Sequence, residues 1–165
     1  MSQKDDIIIG KHFIDATQKV LSTMAFLQAV PGRPVSLNGK PGGAGDISAI
    51  IGVTGACTGS ISVSFTREAA IKVVKGMLGD EVDGMDETAL MQDAMDAVGE
   101  IINMISGMAR ATLSEAGLVM QGSTPSVVAG KDHTILHQGR SPGVAIPFTL
   151  DGSRFSVEFI LDAKE

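Results

Sequence analysis

Apolar residues recur at helical spacing in three stretches of the chain and alternate with polar ones elsewhere. From Ile7 to Ala29, Phe13, Thr17, Val20, Leu21, Met24 and Leu27 share one arc, and Pro31 and Pro34 are placed to stop the helix. A short strand over 35–37 leads into a Gly-rich turn or loop over 38–45. Residues 47–53 and 60–65 read as strands, the second alternating Ile61, Val63 and Phe65 with Ser60, Ser62 and Ser64. That alternation predicts a half-buried antiparallel strand. A shorter amphipathic helix follows over 67–78, closed by Gly79, and a long one over 86–116, capped by Gly117. Then come a strand over 127–129, a polar connection over 131–143, and strands over 144–150 and 154–161. Asp151-Gly152 between the last two is a strong hairpin signal.

The long helix carries the candidate chemistry. Leu90, Met91, Ala94, Val98, Ile101, Ile102, Ile105, Met108 and Ala109 form its apolar stripe. Asp96, Glu100, Asn103 and Gly107 fall on the opposite side, within about 60° of one another. The positions around them are Ala89, Gly99, Ser106, Gly107, Ala111 and Ser114, with Arg110 the one basic neighbour. A solvated face favours long charged side chains, and each interior glycine costs about 1 kcal/mol against alanine. A face that accepts two glycines therefore predicts close approach by another surface, with Glu100 and Asn103 at its centre.

Segments of the two halves can be laid on each other. Residues 15–22 match 96–103, 34–40 match 125–131, and 59–65 match 152–159 with one insertion. The expected domain is single, with a degenerate first half over about 7–80 and an active second half over about 86–165. Lys19 replaces Glu100, Ser22 replaces Asn103, and bulky Phe26 stands opposite Gly107. The predicted fold class is α/β (α+β): long helices packed on an antiparallel sheet, with an internal pseudo-twofold repeat.

Composition narrows the function. With 165 residues and 44 % hydrophobic content the chain can build one substantial core. A net charge of −6, no Trp or Tyr and six Phe argue against nucleic acid and anionic membranes. Cys57 is the single cysteine, and neither a signal-peptide core nor a spanning run is present, so a cytoplasmic protein is expected. His133 and His137 have a metal-like spacing, but they lie in a Gly/Pro-bounded segment without a third ligand, and no metal is predicted. The glycines at 39–43 and 52–59 fit no phosphate or dinucleotide motif. Cys57 has no partner histidine at motif spacing and reads as a packed or loop thiol.

At the residues of the long helix the chain resembles the CheC/CheX/FliY family of bacterial chemotaxis phosphatases. The shared pattern is an acidic residue or serine, Glu four later, Asn three after that and Pro about twenty further on: here Asp96, Glu100, Asn103 and Pro125. The single equipped copy, without an added domain, is most similar to the CheX branch. The resemblance implies hydrolysis of the aspartyl phosphate of a CheY-type response regulator. Asn103 would position the attacking water, and Glu100 would pair with the regulator's lysine. Asp96, Gly99, Gly107 and Arg110 would face the partner, and Pro125 would fix entry into the next strand. It also implies no cofactor of the chain's own, Mg²⁺ held by the regulator, and a homodimer. The alternatives are a non-catalytic module that binds a regulator or flagellar component, and a small-molecule sensor with a pocket between helices and sheet.

Overall fold

A computed structural model describes residues 3–164. Helix α1 spans Gln3–Ala25, strands β1 and β2 are Val30–Pro31 and Val35–Ser36, and β3 (Gly45–Gly55) and β4 (Cys57–Phe65) form a hairpin. Helix α2 (Arg67–Leu78) and a 3₁₀ segment (Gly79–Gly84) lead to α3 (Glu87–Glu115). Strands β5 (Met120–Gly122), β6 (Ser126–His133), β7 (Val144–Leu150) and β8 (Ser153–Ala163) complete the chain. All eight strands lie in one sheet of order β1-β7-β8-β4-β3-β5, with β2 also on β7 and β6 also on β3. Every pairing is antiparallel, and Ile61 opposite Phe159 lies midway along the central β4–β8 pair.

The predicted helical and hairpin signals act locally as expected. Thr66 caps α2 by accepting the Ala69 amide at 3.2 Å, and Asp86 caps α3 through the Ala89 amide at 2.8 Å. Asp151 and Gly152 both adopt positive φ, 50° and 85°, the geometry a two-residue hairpin demands. The helices cover one face of the sheet. There Phe13 of α1 stacks on Phe159 with centroids 4.8 Å apart, and Phe155 lies between Phe65 and Phe148.

Four features depart from expectation. First, α1 ends at Ala25, four residues early, and Phe26 turns the chain in the left-handed region at φ 55°. The Leu27 amide folds back to the Leu21 carbonyl at 3.2 Å, which closes the helix end. Helix α2 abuts there: a Cβ at Gly76 would overlap the Ala25 carbonyl. Phe26 is therefore beyond the helix and 81 % exposed, so it is not a helix-face counterpart of Gly107. Second, β6 runs through His133, so the connection after it is shorter than predicted. Third, β1 and β5 are two- and three-residue strands without a sequence signal of their own.

The fourth concerns the far face of the sheet. Ser48 is buried with its Oγ 2.6 Å from His133 Nε2, and Ser62 and Ser64, read as the polar side of a half-buried strand, are buried as well. Two straps, residues 38–44 and 134–143, lie over them. His137 is buried, with Nδ1 2.7 Å from Ser60 Oγ and Nε2 2.9 Å from Ser62 Oγ. Fully buried Glu158 accepts the Gly43 amide on Oε2 at 2.9 Å, while its Oε1 faces His137 Nε2 at 3.4 Å. A Cβ at Gly42 would overlap that carboxylate. The period-two pattern is right, but the polar side meets a covering of its own chain.

Candidate functional site

Helix α3 lies on β3 through its apolar stripe, with Val98, Ile101, Ile102, Ile105 and Ala109 buried. This fixes its rotation about its axis and turns Asp96, Glu100 and Asn103 outward. All three are exposed. Asp96 accepts a hydrogen bond from Gln92 Nε2 at 3.1 Å. Neither Glu100 nor Asn103 has a hydrogen-bond or ion-pair partner among the described residues. Exposed amide and carboxylate side chains on a helix flank, three residues apart and unpartnered within the chain, are free to bind elsewhere.

The two glycines of the helix differ. Gly107 lies open: a Cβ built there meets nothing within 4 Å. Gly99, expected at the docking face, is buried, and a Cβ there would lie 3.2 Å from Val127 Cγ2 on β6. Its small size serves the chain's own packing. Arg110 is also engaged internally. Its Nε donates to the buried Ser106 Oγ at 3.1 Å, and a guanidinium NH₂ donates to the Met120 carbonyl at 3.4 Å. A Cβ at Gly122 would lie 3.1 Å from the same guanidinium. Arg110 and Gly99 thus fasten the 120–127 segment along one flank of α3, with Asn103 between them on the helix.

Pro125 is half-buried, immediately before β6. The segment ahead of it is held to β3: Ser123 N–H donates to the Gly52 carbonyl at 2.8 Å, and the Gly52 amide donates to Ser123 Oγ at 2.9 Å. On the opposite flank of α3, Thr112 Oγ1 is 2.7 Å from His12 Nδ1 of α1.

The site is therefore a convex ridge. It can present hydrogen-bonding groups to another macromolecule but cannot enclose a small substrate. An open groove of about 640 Å³ lies elsewhere, between α1 and β2, lined by Ile7, Gly10, Ile14, Pro34 and Val35 among others, with no α3 residue. Asp93, Asp96 and Glu100 share one flank of the helix, and Arg110, the one basic residue of α3, is tied down. No helix among the described residues is long and apolar enough to cross a membrane.

The helix, its polar pair and the sheet beneath it place the exposed side chains on an α-helix packed over an antiparallel sheet. The family model of the chemotaxis phosphatase CheX matches residues 47–149, and the chain belongs to that family. It is 39 % identical over 83 residues to the CheY-P phosphatase CheX of Thermotoga maritima. That match spans 50 % of this chain and 51 % of the relative, about half the length of each. Among solved structures, chemotaxis protein CheX from Desulfovibrio desulfuricans superposes with a TM-score of 0.84 at 51 % identity, covering 93 % of this chain and 99 % of that one. The CheX of a CheX–CheY–BeF₃–Mg²⁺ complex from Borrelia burgdorferi superposes with a TM-score of 0.75 at 26 % identity, covering 92 % and 96 %.

Proposed function

We propose that this chain dephosphorylates a CheY-type response regulator and so terminates a chemotaxis signal. The observation that carries this reading is the exposed, unpartnered Asn103 beside Glu100 on a bare convex helix, in a chain of this family. A primary amide cannot act as a general base at neutral pH, but it both donates and accepts hydrogen bonds. Inserted into the regulator's active site, Asn103 orients a water in line with the aspartyl phosphate. Glu100 pairs with the regulator's lysine and fixes the docked geometry, and Asp96 lies at the edge of the contact. The regulator supplies Mg²⁺ and lysine for the transition-state charge. Ordering one water is worth about 10²–10³ in rate, or about 3–4 kcal/mol. That is within reach of a single amide.

The relative from Thermotoga maritima is named as a CheY-P phosphatase, and the Borrelia burgdorferi neighbour was solved with CheY. Both support a regulator as the partner here. The chain needs no cofactor of its own on this reading, and it works in the cytoplasm, where such regulators signal. It forms a homodimer through a sheet edge; among the described residues strand β6 pairs with β3 alone, which leaves its outer side available. The first half over about 7–80 is a copy that lost the polar pair: α1 presents exposed Lys19 and Ser22 where α3 presents Glu100 and Asn103.

The test adds the chain at substoichiometric amounts to an Mg²⁺-bound, phosphorylated CheY-type regulator and follows phosphate release. Turnover that Asn103→Ala abolishes supports the reading. Stoichiometric binding without faster decay assigns the chain as a non-catalytic module instead.

A further inference from the structure

Glu100, Asn103, Met104 and Gly107 stand at i, i+3, i+4 and i+7 on α3, the four corners of a diamond on one helix face. Met104 is 36 % exposed and is the one α3 residue among the large apolar side chains left in solvent. A single exposed apolar residue needs no explanation by itself. The empty position one turn on gives this one a role. Helical side chains lean toward the N-terminus, so a side chain at 107 would cover the gap between Asn103 and Met104. Gly107 leaves that gap open: among the described residues, nothing beyond the adjoining helix backbone comes within 4 Å of where its Cβ would be. Its backbone shows no positive φ, so the helix does not require glycine there.

We infer that Met104 and Gly107 form an apolar notch beside Asn103 that receives an aliphatic or aromatic side chain of the response regulator. This rests on the phosphatase reading and adds a specificity contact to it. The occupant follows from the surroundings. Glu100, Asp96 and Asp93 follow one, two and three turns N-terminal of Met104 along the helix, so the partner that fits sets cationic groups on the N-terminal side of one apolar knob. Methionine is suited to such a contact, because its flexible thioether adapts to the shape it meets. The notch separates two tasks: Asn103 does the chemistry, and Met104 adds affinity for the regulator that carries the phosphoryl group.

The experiment measures phosphate release from an Mg²⁺-bound phosphorylated CheY-type regulator, and separately the Kd for the same regulator loaded with BeF₃⁻ and Mg²⁺. Met104→Ala, Met104→Lys and Gly107→Leu are compared with wild type and with Asn103→Ala. The expected result is a rise of about tenfold in KM and Kd for Met104→Ala, and more for Gly107→Leu, with kcat within about twofold. Asn103→Ala moves kcat instead. Melting temperatures at or above wild type for the Gly107 variant exclude a folding defect. Unchanged KM and Kd in all three notch variants would overturn the inference while leaving the phosphatase reading intact. If wild type releases no phosphate, that reading fails, and the notch is decided by the Kd series alone.

Discussion

Val127 of β6 lies over the backbone of Gly99: a Cβ at position 99 would sit 3.2 Å from Val127 Cγ2, whereas one at Gly107, two turns on, would touch nothing within 4 Å. Two glycines on one helix therefore answer to different demands. Gly99→Leu should overpack the seam and destabilise the fold by about 1–3 kcal/mol. Val127→Ala in the same chain should restore part of that loss. Gly107→Ala should stabilise by up to about 1 kcal/mol, because only helix propensity changes. Urea unfolding of the three variants beside wild type measures all of this.

Asn103 and Glu100 should separate in kinetics. Asn103→Ala removes the water-orienting amide and is expected to lower kcat by about 10²–10³ with little change in stability, since the side chain has no hydrogen-bond partner among the described residues. Glu100→Ala should act chiefly through KM and through the salt dependence of association, as loss of a docking charge does. Steady-state phosphate release across regulator concentrations and ionic strength distinguishes the two.

The buried pair beneath the straps should matter for stability and not for chemistry. His137 bridges Ser60 and Ser62, and Glu158 holds the Gly43 amide. His137→Ala leaves Glu158 Oε1, which already accepts no hydrogen bond, without its facing ring. The expected cost is about 2–3 kcal/mol, with faster hydrogen exchange in residues 38–44 and 134–143. Turnover per folded molecule should be unchanged, because α3 packs on the other face of the sheet.

Two carboxylates should contribute to the loss of stability in acid. The Asp132 amide at 3.0 Å and the Arg67 amide at 2.7 Å hold the Asp46 carboxyl below its ordinary value of 3.8. Partial desolvation pushes Asp162 up, but it is outweighed by the Ser141 hydroxyl and the amides of Arg140 and Ser141, and the net shift is downward. A folded value below the unfolded one means the stabilisation is complete above the unfolded value and is lost as pH falls through the folded value. Asp46→Asn and Asp162→Asn should therefore flatten the fall in stability below about pH 4. Denaturant unfolding at stepped pH reads this directly.

The helices, the 151–152 turn and the polar pair were all legible in the sequence, because each is set by neighbours within a few residues. The apolar stripe of α3 dictates which side faces outward, so Asn103 could be placed in solvent before any coordinates. What the sequence hid is long-range. Nothing near Gly99 announces that Val127 will cover it, and nothing near Arg110 announces the Met120 carbonyl. Ser62 and Ser64 have the period of a wet sheet face, yet the strap carrying His137 arrives from more than seventy positions away. The early end of α1 has the same origin, since α2 abuts it at Gly76.

The strand order binds the two ends of the chain into each other. Strands β1 and β2, which follow α1, are paired to β7, while β5 and β6, which follow α3, are paired to β3, and β4 joins β8 at the centre. A cut within the exposed 3₁₀ segment at 79–84 would thus yield two fragments, neither holding a complete sheet. Each would display the edges the other needs. Co-expressed, such pieces should reassemble into a working protein, making the turnover of a regulator a readout of their encounter.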